Sequence, residues 1–172
     1  MRADLRHLGD PGTADFQVRK YPFYLLNRLV SRYNAIIEAR LRTIGLDIPF
    51  WRVLMILGEA APQGVGEISE AAVINLSTMT RIVQRMAQTN LVRCTARSAD
   101  SRITDVFLTA LGKKKLAAAR KITAPVFAAA IAGFSERDFA AAIETLDRLY
   151  LNLAPLLRDS GRHRKAVRPK QN

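Results

Sequence analysis

Ser77, Thr78, Thr80 and Arg81 crowd the start of one short amphipathic segment, and Gln84 and Arg85 follow on it. Small hydroxyl side chains let a helix approach a surface closely, and a guanidinium can donate two parallel hydrogen bonds to the edge of a guanine. Gln84 and Arg85, further along, are candidate phosphate contacts. Met79, Ile82, Val83 and Met86 recur between them at helical spacing and form the apolar side. Beyond this segment, Arg97, Asp100, Ser101 and Arg102 flank or lie in a polar, turn-like SADSR. The turn sits between two strand-like runs, residues 91–97 and 103–108, which reads as a hairpin. Arg102 at its tip would reach phosphates, or a narrow minor groove where the negative potential is enhanced, with Asp100 to orient it. A solvated turn pair is the plainer alternative. A helix followed at once by an Arg-tipped hairpin suits two neighbouring grooves of duplex DNA.

Charge supports this placement. The 172-residue chain carries a formal net charge of +12 and a pI near 10.7, which favours a polyanionic partner or an anionic membrane surface. The excess is local. Residues 46–74 sum to −3, residues 75–102 to +4 and residues 158–172 to +5. The basic region therefore begins where the proposed reading helix begins.

The remaining elements must hold that helix and hairpin. Residues 1–19 are polar with Gly9, Pro11 and Gly12, and read as a flexible N-terminal arm. Leu26, Leu29, Val30, Tyr33, Ile37, Leu41 and Ile44 predict a long helix over 22–45, with Pro22 and Gly45 as boundary signals. A second helix follows Pro49 and carries Trp51, Leu54, Met55 and Leu57. The loop Pro62-Gln63-Gly64 leads to a short third helix over 66–72, and Asn75 can cap the reading helix. Thr109 would cap a fifth helix running to about 132 and kinked at Pro125. Ser135 with Asp138 approximates a capping box for the last helix, whose stripe of Phe139, Ile143, Leu146, Leu149, Tyr150 and Leu153 ends near Pro155. Residues 158–172 read as a basic, disordered tail.

Several chemistries are not supported. His7 and His163 lie in the two tails and Cys94 is the single cysteine, so no metal cluster, disulfide or Ser–His–Asp constellation is expected. No Gly-rich phosphate loop is present. The chain is read as a non-enzyme without cofactor. It shows no signal-peptide pattern and no membrane-length apolar run, so a cytoplasmic location is expected. Cys94 is read as a small strand residue, since a regulatory thiol needs exposure and a lowered pKa. Lys113 to Lys115 are read as a solvated face.

The run from Leu46 to Gly112 resembles the winged helix-turn-helix core of the MarR family. The motif Asp100-Ser101-Arg102, then Val106-Phe107-Leu108-Thr109 and Gly112, is similar to the family's wing and its closing Leu-Thr-x-x-Gly. Ser77-Thr78-Met79-Thr80-Arg81-Ile82-Val83 matches its recognition helix. Departures are Ser69 for Ala, Val73 for Gly, Asn90 for Gly, and Ser101 where many members carry a second Arg. The resemblance implies a mainly α fold with a small β-hairpin wing. Residues 20–157 would form one MarR-like domain, its winged core over about 46–110 flanked by dimerisation helices over about 22–45 and 110–157. It also implies a homodimer on double-stranded DNA, repression from a pseudopalindromic operator, and a small aromatic or phenolic effector in a cleft near Tyr24, Arg28, Trp51 and Met55. The competing reading is a non-specific basic nucleic-acid-binding or chromatin-associated protein, which would bind any duplex with a steep salt slope.

Arg81→Ala should relax base preference by ~1–3 kcal/mol at one operator position. Competition binding against single-position operator variants checks this; a uniform loss over all sequences would make Arg81 a phosphate contact.

Overall fold

The computed structural model describes the backbone of residues 4–166 and the side chains of residues 4–156. In chain order it contains α1 (Arg6–Gly9), a 3-10 turn at Val18–Lys20, α2 (Pro22–Arg42), α3 (Ile48–Glu59), β1 (Gln63–Gly64), α4 (Val65–Ala72) and α5 (Leu76–Gln88). There follow β2 (Val92–Arg97), β3 (Asp100–Leu108), α6 (Ala110–Ala130) and α7 (Glu136–Ala166). The chain divides into two compact units, residues 1–127 and 128–172.

In the first unit, α2, α4 and α5 each stop at a left-handed residue. Gly45, Val73 and Asn90 have φ of 70°, 54° and 56°. Each is followed by an amide that reaches back to close the helix: Leu46 to the Leu41 carbonyl, Ile74 to Ser69 and Leu91 to Met86, at 2.9–3.1 Å. This closure satisfies carbonyls that the helix end would leave free. Glycine adopts the conformation at no steric cost and asparagine tolerates it, but a β-branched valine is strained there. Buried Ser69 reinforces the α4–α5 turn, its hydroxyl donating to the Ile74 carbonyl at 2.6 Å.

The starts are capped by side chains. Asp47 accepts from the Phe50 amide at 2.8 Å and Asn75 from the Thr78 amide at 2.9 Å, each satisfying a donor of the first turn. The core lies where α2, α3, α4 and α5 meet the sheet. Ile37, Leu41, Val53, Leu54, Ile68, Met79, Met86 and Val106 are fully buried, each worth ~1.5–3 kcal/mol in transfer from water. The sheet has the order β1-β3-β2, all antiparallel. Its root is stitched to α6 by Thr109. The hydroxyl donates to the Asn90 carbonyl at 2.6 Å and accepts from the Gly112 amide at 3.0 Å. A β-carbon at Gly112 would lie 2.0 Å from the Leu91 carbonyl oxygen, so only glycine fits this close approach.

The mainly α winged architecture is as the sequence implies, with four differences. Residues 4–20 are not a featureless arm: α1 and the 3-10 turn are joined by Gln17 donating to the Leu8 carbonyl at 2.8 Å. Gln63 and Gly64 pair with Val106 and Asp105, so the expected loop contributes a strand. Asp100, Ser101 and Arg102 belong to β3, because the turn is shorter than SADSR. Helix α7 continues through Pro155 to Ala166, where a disordered tail was expected; residues 167–172 of that tail, like residues 1–3 of the arm, lie outside the described residues.

In the second unit, Ser135 and Asp138 cap α7 reciprocally. Along it Ile143, Leu146, Tyr150 and Leu153 are exposed, and on α2 so are Leu25, Leu29, Val30 and Ile36.

Val73 is 81% exposed, so its apolar burial adds little against the strain of the left-handed backbone. Val73→Gly should stabilise the fold by about 1 kcal/mol, seen as a higher urea midpoint at unchanged slope.

Candidate nucleic-acid interface

Burial of Met79, Ile82, Val83 and Met86 decides which way α5 faces. Ser77, Thr78, Thr80, Arg81, Gln84 and Arg85 are all exposed. Ser77, Arg81 and Gln84 are centred opposite the buried side, where a groove-reading helix must present them. Two hydroxyls are partly used locally. Ser77 donates to Asn75 Oδ1 at 3.0 Å and Thr80 to the Leu76 carbonyl at 2.8 Å; both oxygens can still accept. Arg85 leans away from the centre. Its guanidinium stands 5.0 Å over the Phe50 ring and 3.7 Å from Asp47 at the start of α3.

The hairpin places its arginines in different roles. Arg102 is 89% exposed and held by Asp100, whose carboxylate accepts from the Arg102 backbone amide at 3.1 Å, from Nε at 3.0 Å and from Nη2 at 3.2 Å. These bonds hold the Asp100 carboxyl below its usual range. Asp100 therefore orients Arg102, as its spacing suggested. The ladder is regular from Val92↔Leu108 to Ala96↔Thr104 and then shifts to Arg97↔Asp100. Ser101, Arg102 and Ile103 thus form a bulge on β3, a device that re-aims side chains. Arg93 stacks on Phe107, 3.9 Å from the ring centroid.

Arg97 is engaged elsewhere. Its side chain is only 28% exposed, with Nε donating to Asp105 at 2.8 Å and Nη2 to Glu67 at 3.2 Å. Glu67 also accepts from the Gly64 amide. The Asp105 and Glu67 carboxylates push the Arg97 guanidinium further up, and Arg97 draws the Glu67 carboxyl below its ordinary value. Arg97 is therefore not a free cation for DNA. Sequence reading missed Glu67 and Asp105. The signals were there: an acid among apolar strand residues at 105 needs a partner, and Glu67 stands at capping spacing from Gly64.

A cleft of about 580 Å³ opens between α3 and α4, lined by Trp51, Arg52, Met55, Ile56 and Ala71 to Val73. Trp51 and Met55 are thus brought together as expected. Tyr24 and Arg28 do not line it; they pair on α2, the guanidinium 5.6 Å from the ring. The Trp51 indole N–H is buried without a hydrogen-bond acceptor among the described residues. Nearby Tyr33, its ring 6.4 Å from Trp51, has its phenol pushed up by burial. Partial burial also pushes the surface thiol of Cys94 up, the direction opposite to an activated thiolate. Lys115 donates to the Ile44 carbonyl beyond α2, so that part of the lysine run is structural. Among the described residues, no helix is long and apolar enough to cross a membrane.

Known proteins share this arrangement. The sequence profile of the MarR family matches residues 46–104. The HTH-type transcriptional repressor IacR of Pseudomonas putida is 35% identical over 147 residues, covering 86% of this chain and 88% of that one. A MarR-family transcriptional regulator from Silicibacter pomeroyi has a similar structure, with a TM-score of 0.74 and 25% identity over 81% of this chain and 94% of that one. Bordetella bronchiseptica BpsR, whose DNA binding is regulated by 6-hydroxynicotinic acid, has a TM-score of 0.70 at 18% identity over 78% and 96% of the chains. At that identity the likeness concerns the fold alone.

Arg102→Ala should weaken operator binding by about tenfold and leave the circular dichroism spectrum unchanged, since the side chain is 89% exposed and bonds to Asp100 on its own strand. Unchanged affinity in an anisotropy titration would remove Arg102 from the interface.

Proposed function

The chain belongs to the MarR family, and from that premise we propose that it represses transcription as a homodimer seated on a pseudopalindromic operator. The observation that carries this is the pairing of an outward Ser77, Arg81 and Gln84 face with an exposed, carboxylate-oriented Arg102. The helix enters the major groove with Ser77, Thr78, Thr80, Arg81 and Gln84, and the wing lays Arg102 into the adjoining minor groove. Arg85 contributes at the margin. The exposed apolar residues of α2, and separately those of α7, are faces that a second copy can cover. Two-fold symmetry would then present two reading helices about 34 Å apart, one turn of DNA. IacR, a repressor by name, supports the direction of control. A cytoplasmic location follows from this work on DNA.

The cleft is the seat of a small effector. Apolar Met55, Ile56 and Ala71 to Val73 suit an aromatic ring, and Arg52 can pair with an anion. An effector favouring a spacing of the reading helices that DNA cannot accept would release the operator, by no more than its differential affinity for the two spacings.

Anisotropy titration at ~150 mM salt should separate the duplex upstream of this protein's gene from a shuffled duplex by ~10³-fold or more. Equal, steeply salt-dependent binding to both, persisting in a genome-wide binding selection, would instead establish a non-specific basic protein.

A further inference from the structure

Arg97 ends β2 at the point where the hairpin ladder loses its register. Toward the root, paired backbone groups hold the two strands. Toward the tip, Ser101 to Ile103 bulge from β3, and the ladder no longer fixes their direction relative to the body. The Arg97 side chain crosses that gap. The Arg97 guanidinium binds Asp105 within the sheet and Glu67 in the first turn of α4, 30 residues away in sequence. Glu67 is itself tied to the Gly64 amide of β1. Gly64 leaves the room this needs: a β-carbon there would stand 3.3 Å from Arg97 Nη2 and 3.1 Å from Ile103 Cγ2. Helix α4 packs directly on α5. The guanidinium fork therefore joins the wing, near its tip, to the helix pair that carries the reading surface. A planar fork holding two carboxylates fixes direction as well as distance.

We propose that Arg97 is a positioning residue that sets the offset between reading helix and wing tip, and so selects operators whose narrow minor-groove segment lies at one fixed distance from the major-groove half-site. Arg97 makes no contact with DNA in this arrangement; Asp105 and Glu67 offset its charge. It acts through Arg102. The inference rests on the proposed wing contact, and its test separates the two.

The probe is an operator selected from random duplexes with wild-type protein, examined by hydroxyl-radical footprinting and anisotropy. Arg97→Met keeps the stem and removes the fork. It should lose or displace the flanking, wing-dependent protection, retain the central protection and weaken binding about tenfold. Arg97→Lys should restore part of the flanking protection. In an Arg102→Ala background, Arg97→Met should cost almost nothing further, because the residue acts only through the wing arginine. If Arg97→Met fails to fold, Glu67→Gln serves in its place. It keeps the acceptor for Gly64 but drops the charge on the fork, and should displace the flanks in the same sense. Full, unshifted flanking protection in Arg97→Met, or losses that add to those of Arg102→Ala, would overturn the proposal while leaving the wing contact standing. A wild-type footprint without flanking protection would overturn both.

Discussion

The buried side of α5 is the constraint on which the rest depends. Met79 and Met86 are fully enclosed and Ile82 and Val83 nearly so. Rotating the helix to expose them would cost several of the ~1.5–3 kcal/mol contributions that burial supplies. With that side fixed, Ser77, Arg81 and Gln84 face outward, and the Ser77 hydroxyl bonds locally to Asn75 in the helix cap. Helices α3 and α4 pack against α5, and β2 follows on its far end. The reading surface is thus the exposed remainder of a well-determined core, which is why polar residues that make few intramolecular bonds are nonetheless held in place.

The two wing arginines show how burial and charge divide labour within one hairpin. Arg97 and Arg102 each sit beside an acid close in sequence, yet their environments differ. Arg97 has one acid within its own sheet, Asp105, only 13% exposed, and a second on another element. Arg102 has Asp100 alone and itself stands in solvent. A guanidinium held by two carboxylates contributes direction with little net charge. One aligned by a single carboxylate keeps its donors accessible to a phosphate or base edge. Counting five arginines between residues 75 and 102 overstates the cationic surface available to DNA, because Arg97 and Arg85 are already engaged with acids.

Much of this was legible in the chain. Local rules act on local sequence: the helical spacing of α2 and α5, the Asn75 cap and the Ser135–Asp138 box each depend on residues within a turn or two. The Asp100–Arg102 pair was readable for the same reason. What was not legible depended on residues far apart. Strand β1 is too short to carry a periodic signal and exists only because β3 offers an edge to Gln63 and Gly64. Arg97 looked like a wing cation because Glu67 lies 30 residues away. Tyr24 and Arg28 were assigned to the cleft by resemblance, although their four-residue spacing on α2 makes them neighbours of each other. Pro155 signalled an end to α7, but the helix passes through it.

The Thr109 hydroxyl reaches 19 residues back along the chain, donating to the residue that closes α5 while accepting from the first turn of α6. The hairpin of β2 and β3 between Asn90 and Thr109 is thereby clamped at both feet. Closing a loop becomes only slowly dearer as it grows, by about 0.6 kcal/mol per doubling of length. The residues beyond Arg97 and Asp100 can therefore change in number or kind at little cost, while Val92 and Val106 keep the root of the hairpin in the core. Gly112, with no space even for a methyl group, keeps those feet where they are. The architecture separates a rigid socket from a finger whose outermost residues alone are exchangeable.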